Sequence, residues 1–157
     1  MSRRRCAEKR KALPDPLYGS LVLEKFINKV MLHGKKTKAR RIVYHAIRLF
    51  SQKVNIDNPL EAFEQALENA KPSLEVKSRR IGGATYQVPV EISSDRRTAM
   101  AMRWIIHHAQ AKVGRSMESG LVQELNDCYN NQGMTIKKKD DTHRMAEANK
   151  AFAHYKW

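Results

Sequence analysis

The stretch from Leu74 to Ile92, LEVKSRRIGGATYQVPVEI, is the one place where the sequence dictates strands in an otherwise helix-patterned chain. Glycine tolerates positive φ without a Cβ penalty, so Gly82-Gly83 suits a tight two-residue hairpin turn. The flanks alternate as strands do, with Leu74 and Val76 against Glu75 and Lys77, then Tyr86, Val88 and Val90 against Thr85 and Gln87. Pro89 has no N–H and must face the unpaired edge of its strand. An isolated hairpin is marginal in water, so its base has to lean on helices while its tip reaches outward. Lys77, Arg79 and Arg80 precede the turn, which points to an anionic partner; the plain alternative is a solvated surface hairpin.

The rest of the chain reads as six helices. Ser20 caps the first, which carries Leu23, Phe26, Ile27, Val30 and Met31 at helical spacing, runs to about His33 and stops at Gly34. The second spans Thr37 to about Gln52 and buries Ala39, Ile42, Val43, Ala46, Ile47 and Phe50, with Lys38, Arg41, His45 and Arg48 on the opposite face. Asp57 or Asn58 caps the third, with Pro59 in its first turn and Glu61, Glu64 and Glu68 outward. The fourth runs from Ser93, Ser94 or Asp95 to about Lys112, the fifth from Ser116 to a stop at Gly133, and the sixth from Thr135 to about Phe152. Leu121, Leu125 and Tyr129 are the expected inward residues of the fifth helix, and Trp104 is expected in the core.

Charge is sorted along this frame. Residues 1–12 hold Arg3, Arg4, Arg5, Lys9, Arg10 and Lys11 against Glu8 alone, with no helical period, and read as a flexible basic arm ended by Leu13-Pro14-Asp15-Pro16. From Lys25 to Ile56 there are nine Lys or Arg and no acid. A merely solvated helix face mixes signs to gain i,i+4 pairs, so this window reads as a phosphate-facing surface. The net charge of +14 favours a polyanion, nucleic acid or an acidic membrane surface. No apolar run has the length of a bilayer span, and no signal-peptide core follows the basic start. The expected setting is cytoplasmic. The expected organisation is an arm over 1–12 and a single helical domain over 13–157, with the hairpin over 74–92 and the last helix and tail over 135–157.

Catalytic constellations are missing. The sequence has no HExxH, GxSxG or Walker-type loop, and no paired metal-ligand spacing, so neither an enzyme nor a metal or other cofactor is expected. Cys6 and Cys128 are isolated thiols and form no framework. His107 and His108 diverge on a helix, as do Asp140 and Asp141. Three binding classes remain. A helix-turn-helix regulator needs a short turn, and the join from His33 to Thr37 is short enough, but the second helix offers Lys, Arg and His rather than the Asn or Gln that reads adenine. An architectural DNA protein would use Ile81 beside the turn as a wedge. An RNA scaffold protein would use a basic arm, spread basic faces and a projecting hairpin to grip folded RNA by shape and phosphates, which uses every feature above.

SRRIGG-TYQVPVE, followed by Arg96, Arg97, Ala99, Arg103 and Trp104, resembles the bacterial-type small-subunit ribosomal protein seven family. Arg3 to Arg5, Asp15-Pro16-x-Tyr18, Gly34-Lys35-Lys36 and the run from His143 to Phe152 match as well, so the resemblance covers nearly the whole chain. The resemblance implies a mainly α protein of six helices with a protruding two-stranded hairpin between the third and fourth. It implies binding to the 3′ major domain of small-subunit rRNA, nucleation of head assembly, and a place on the ribosome at the exit-tRNA site beside the mRNA path, near ribosomal proteins nine and eleven, with no membrane and no obligate homo-oligomer. A plastid-encoded relative would share these features. It assigns rRNA contacts to Arg3, Arg4, Arg5, Lys9, Arg10, Lys11, Lys35, Lys36, Lys38, Arg41, Lys77, Arg79, Arg96, Arg97 and Arg103. It turns the hairpin tip, Arg80, Ile81, Gly82, Gly83 and Ala84, with His143, Arg144 and Asn149, toward exit-site tRNA or mRNA.

Overall fold

The computed structural model describes residues 13–155. The expected basic arm over 1–12, with its six cations, and the tail residues 156–157 lie outside the described residues. Six α-helices and one hairpin follow in order: α1 (Leu21–Val30), α2 (Lys36–Val54), α3 (Pro59–Ala70), β1 (Leu74–Ile81), β2 (Ala84–Glu91), α4 (Ser94–Gln110), α5 (Met117–Tyr129) and α6 (Gly133–Ala148), with a 3-10 helix over Lys150–Tyr155. The fold is mainly α with the hairpin between α3 and α4, as expected.

α1, α3 and α5 start where a polar side chain caps the first amides, whereas α2, α4 and α6 have no side-chain cap bond, Ser93 at the start of α4 included. Ser20 Oγ accepts from the Leu23 N–H at 3.3 Å, Asn58 Oδ1 from the Leu60 N–H at 3.1 Å with Pro59 at the first position, and Ser116 Oγ from the Ser119 N–H at 3.3 Å. Their apolar stripes meet in one cluster that includes Phe26, Phe50, Phe63, Ile47, Ile105 and Leu121. α5 packs against α2, α3, α4 and α6 and so forms its axis. Gly120 allows this, because a Cβ there would stand 2.6 Å from the Ala109 carbonyl oxygen of α4.

The hairpin pairs antiparallel from Leu74↔Glu91 to Ile81↔Ala84. Gly82 and Gly83 have φ of 55° and 92°, the two positive values a type I′ turn needs. Counting outward from a two-residue turn, alternate pairs are hydrogen-bonded, and Val76↔Pro89 falls on a non-hydrogen-bonded rung. Pro89 therefore costs the ladder nothing. The register also sorts the faces. Glu75, Lys77, Arg79, Tyr86, Val88 and Val90 share one face, while Leu74, Val76, Ser78, Arg80 and Gln87 share the other.

Four expectations need correction. α1 ends at Val30, not His33: Met31 is already extended, and Leu32 to Lys35 close a tight turn in which the Lys35 N–H donates to the Leu32 carbonyl at 3.0 Å. Both central residues of that turn are left-handed, His33 at φ 52° and Gly34 at φ 72°. Gly133 opens α6 and does not end α5, whose exit uses Asn131 at φ 54°. α6 stops at Ala148 and the chain tightens into the 3-10 helix, short of an α-helix reaching Phe152. Trp104 is only half-buried and lies outside the central cluster. Its position on α4 puts it between the buried Ala101, Met102 and Ile105 side and the exposed Arg103 and His107 side.

Candidate nucleic-acid interface

The best-isolated cations lie on the α1–α2 turn and the outer face of α2. Asp15 anchors this region from within. It is buried, its Oδ2 accepts from the Leu17 and Tyr18 N–H groups at 3.1 and 3.0 Å, and its Oδ1 accepts from the Tyr44 hydroxyl at 2.6 Å. Burial, and then that hydrogen bond, push the Tyr44 phenol up to about 12. Arg40 stands 4.0 Å from Asp15 and 3.6 Å from Glu24, and Lys36 pairs with Glu24, so acids outside the acid-free window reach in to hold these two. Lys35, Lys38 and Arg41 remain exposed, and among the described residues no carboxylate comes within ion-pair distance of them. Arg41, His45 and Arg48 line one shallow groove of about 400 Å³ with Thr37, Arg40 and Tyr44. His45 Nδ1 lies 3.0 Å from Glu118 Oε2.

α4 continues this surface. Arg103, His107 and Gln110 line a groove of about 300 Å³ with Lys29 of α1. Burial, and then the neighbouring Arg103, push the Lys29 ammonium below its ordinary value, as expected where two cations face each other. Gln110 also lines the cleft that holds Lys35 and Lys38. The α1–α2 turn, α2 and the Arg103 face of α4 are thus one connected track.

The second set of expected contacts behaves differently. Arg96 forks onto the buried Glu75, Nε lying 3.0 and 2.9 Å from its two oxygens and Nη2 2.8 Å from Oε2, while Lys77 stands 3.3 Å away. Burial alone would raise the Glu75 carboxyl, but the hydrogen bonds from Arg96 and Lys77 outweigh it and hold it below the ordinary carboxylate value. Arg97 Nε donates to the Ile92 carbonyl at 2.8 Å, and Arg79 donates to the Tyr155 carbonyl. Tyr86 packs against both Phe152 and Tyr155, with ring centroids 5.3 and 5.4 Å away, and those two rings lie 6.4 Å from each other. These groups fasten the ribbon to α4 and to the 3-10 helix. Arg80 lies on the ribbon's other face and is exposed, as are Gly82, Gly83 and Ala84 at the tip, with Ile81 half-buried.

The last helix contributes in a further way. His143 Nε2 accepts from the Ser73 N–H at 3.0 Å, at the base of the ribbon. With strands rising about 3.3 Å per residue, that base is roughly 25 Å from the tip, so His143 and the tip are not brought together. Arg144 is exposed beside Asp141 at 3.8 Å, and the Asn149 amide caps α6 by donating to the Met145 carbonyl at 2.7 Å. The resemblance assigns contacts to Lys35, Lys38, Arg41 and Arg103; Lys29, Arg48, His107 and Gln110, which lie in the same basic window or on the same helix faces in sequence but were given no contact, share their grooves. Their signal was the same acid-free window and α4 face, but only the packing of α1 against α4 puts Lys29 beside Arg103. Cys128 is buried and its thiol is pushed up to about 12, first by burial and then by Glu124.

Comparison with known proteins bears on what this surface binds. The family model described as ribosomal protein S7p/S5e matches residues 2–150. A protein of Protochlamydia amoebophila (strain UWE25), described as small ribosomal subunit protein uS7, is 76% identical over 157 residues, covering all of both chains. Proteins of the same description from Chlamydia pneumoniae and Chlamydia muridarum (strain MoPn / Nigg) are each 68% identical, again over the full length of both chains.

Proposed function

The chain belongs to the ribosomal protein S7p/S5e family, and on that premise we propose that it is a non-catalytic structural protein of the small ribosomal subunit that binds rRNA and acts in translation. The observation that carries this reading is the connected track over the α1–α2 turn, α2 and α4, in which Lys29, Lys35, Lys38, Arg41, Arg48 and Arg103 have no carboxylate partner among the described residues. Folded RNA is gripped chiefly through phosphates and shape, and a track spread over three elements suits a junction better than a single groove. Lys35, Lys38, Arg41 and Arg103 are the principal phosphate contacts, joined by Lys29 and Arg48. Lys36 holds the scaffold of that surface, and Lys77, Arg79, Arg96 and Arg97 hold the ribbon, as well as adding positive potential. Arg3, Arg4, Arg5, Lys9, Arg10 and Lys11 extend it along the RNA.

The target is the 3′ major domain of the rRNA, where the protein nucleates assembly of the head. The exposed tip, Arg80 to Ala84, faces exit-site tRNA and mRNA. His143 and Asn149 support that face through the ribbon base and the end of α6, and Arg144 reaches it directly. Ribosomal proteins nine and eleven are its neighbours. A salt-titrated competition tests the reading. Labelled head-junction RNA is challenged with duplex DNA and with scrambled RNA of equal length. Preference for the junction by about three orders of magnitude is the expected outcome, in the range of a specific complex; equal binding to all three removes specific RNA recognition.

A further inference from the structure

The 3-10 helix over Lys150–Tyr155 holds an arrangement that the basic track does not use. Arg79 and Tyr86 are directly opposed across the ribbon and share one face of it. Tyr155 meets both: its carbonyl oxygen accepts from the Arg79 guanidinium, and its ring stands 5.4 Å from that of Tyr86, centroid to centroid. Phe152 adds a third ring, 5.3 Å from Tyr86 and 6.4 Å from Tyr155. One rung is thus gripped from both strands by one short segment. We propose that Phe152 and Tyr155 are positioning residues for the ribbon tip, latching the ribbon at the sixth of its eight rungs, counted from the base, so that the tip meets exit-site tRNA or mRNA from a fixed direction. The proposal rests on the reading of the tip given above and adds the element that aims it.

The length of ribbon left free shows what such a latch is for. The base is held by Arg96 and Lys77 on Glu75 and by His143 on the Ser73 N–H. None of these reaches past the fourth rung, Lys77↔Val88, and beyond it only Arg79, Ile81 and Tyr86 are not exposed. At about 3.3 Å per residue, four further rungs held by the base alone would swing over roughly 13 Å. The latch leaves two, Arg80↔Thr85 and Ile81↔Ala84, or roughly 7 Å. A two-stranded ribbon with no further layer is marginal in water, so the last point at which it is held sets the direction of its tip.

The segment serves the ribbon and little else. No residue of the 3-10 helix is buried, and neither Phe152 nor Tyr155 belongs to the central cluster. Among the described elements its backbone lies against β2 and α6 alone. Aromatic pairs hold by geometry as well as by area, so the three rings fix an angle, and the bond from Arg79 fixes a height along the strand. Counted from the two-residue turn, Arg79↔Tyr86 is a hydrogen-bonded rung, so both of its amides donate into the ladder and report its opening.

The test uses the full chain. Phe152→Ala with Tyr155→Ala is expected to speed amide exchange at Arg79 and Tyr86 about tenfold while leaving Glu75 and Val90, the hydrogen-bonded rung at the base, within about twofold. Tyr155→Phe keeps the ring and the carbonyl and is expected to match wild type. Aim is read separately, in small subunits reconstituted with each protein and loaded with deacylated tRNA, by photo-crosslinking from a benzophenone side chain at Ala84. Wild type is expected to label a narrow set of nucleotides, tRNA among them. The double variant is expected to label a wider set in which the original positions no longer dominate, with the junction RNA affinity of the free protein unchanged. Unchanged exchange at Arg79 and Tyr86, or an unchanged crosslink pattern, overturns the latch. Faster exchange at the base as well overturns it too, because the segment would then be part of the fold. A wild-type tip that labels only rRNA removes the exit-site reading, while the breadth of labelling still decides the latch.

Discussion

The α2 face and the ribbon with the start of α4 both carry clustered cations in sequence and do opposite things in structure. On α2, Lys35, Lys38 and Arg41 point to solvent with no acid in reach among the described residues. On the ribbon and the adjoining start of α4, Arg96, Lys77, Arg97 and Arg79 each have an internal oxygen: Glu75 for the first two, the Ile92 and Tyr155 carbonyls for the others. A cation already fixed by a fork on a buried carboxylate gives up that bond if it turns to a phosphate. A solvated lysine gives up only mobility and counterions. The same residue type is therefore a ligand in one region and a strut in the other.

The largest effect that would break this division is on RNA affinity. The triple change Lys35→Ala, Lys38→Ala and Arg41→Ala is expected to weaken junction RNA binding more than about a hundredfold, since each charge-assisted contact contributes on the order of 1–2 kcal/mol. The log–log salt slope should fall by about two to three. Folding stability should stay within about 0.5 kcal/mol, as for ordinary surface changes. Urea titration and filter binding on the same protein measure both. A large loss of stability would show that this face is also structural.

The converse case is Glu124, which is buried between α5 and α6. Its Oε1 accepts from Thr135 Oγ1 at 2.7 Å and from the Thr135 N–H at 3.2 Å, and Oε2 stands 2.9 Å from Lys112 Nζ. Glu124→Ala strips a largely buried lysine of its main partner and is expected to cost about 3 kcal/mol, the low end for breaking a buried pair. The RNA affinity of the folded fraction should not change. Equilibrium unfolding gives the first quantity, and binding below the unfolding transition gives the second.

How much of this was readable beforehand follows the same division. The ribbon was legible because its signal is local: two glycines and an alternation that ladder geometry enforces. The capped starts of α1 and α3 were legible for the same reason. The end of α6 was not, because the chain tightens there to put Phe152 and Tyr155 against Tyr86, more than sixty residues away. Gly133 was misread because a left-handed glycine serves equally in leaving one helix and entering the next. The basic faces were located by composition, but which cations are struts depends on acids distant in sequence: Glu75 for Arg96, Glu24 for Lys36, Asp15 for Arg40. Charge counting finds a surface and cannot divide it.

Acid titration sharpens the contrast by a smaller effect. Burial, outweighing the neighbouring Glu124, lowers the His108 imidazole below its ordinary value of 6.5, while His107, Lys138 and Lys112 push in the same direction. Its Nδ1 lies 3.0 Å from Thr135 Oγ1. The unfolded chain then binds the proton more readily, so stability is complete above about pH 7 and declines as pH falls through 6.5 toward the folded value. Glu75 acts in a separate, lower window. Its folded carboxyl is depressed, so its contribution is present above 4.5 and is lost as pH falls below that. Urea midpoints from pH 8 to 5 should fall by less than Glu124→Ala produces, and His108→Gln should flatten that limb alone. A limb that persists in His108→Gln would assign it to another group.

The smallest expected effect decides the most about the division. Arg96 is 55% exposed on its side chain, and by exposure alone it belongs with Arg41. Its fork on Glu75 places it with the struts. Arg96→Gln is therefore expected to change junction RNA affinity by less than about threefold, while Arg41→Gln costs about tenfold, one charge-assisted phosphate contact. Amide exchange should separate them in the other direction. With Lys77 alone on Glu75, the β1 and β2 amides near Val76 and Val90 should exchange faster in Arg96→Gln and stay unchanged in Arg41→Gln. Equal losses of affinity would mean that RNA draws Arg96 off Glu75, and that the ribbon base becomes part of the binding surface only when RNA is present. In that case the ion pair is a resting position, and the distinction between strut and ligand holds for the free protein alone.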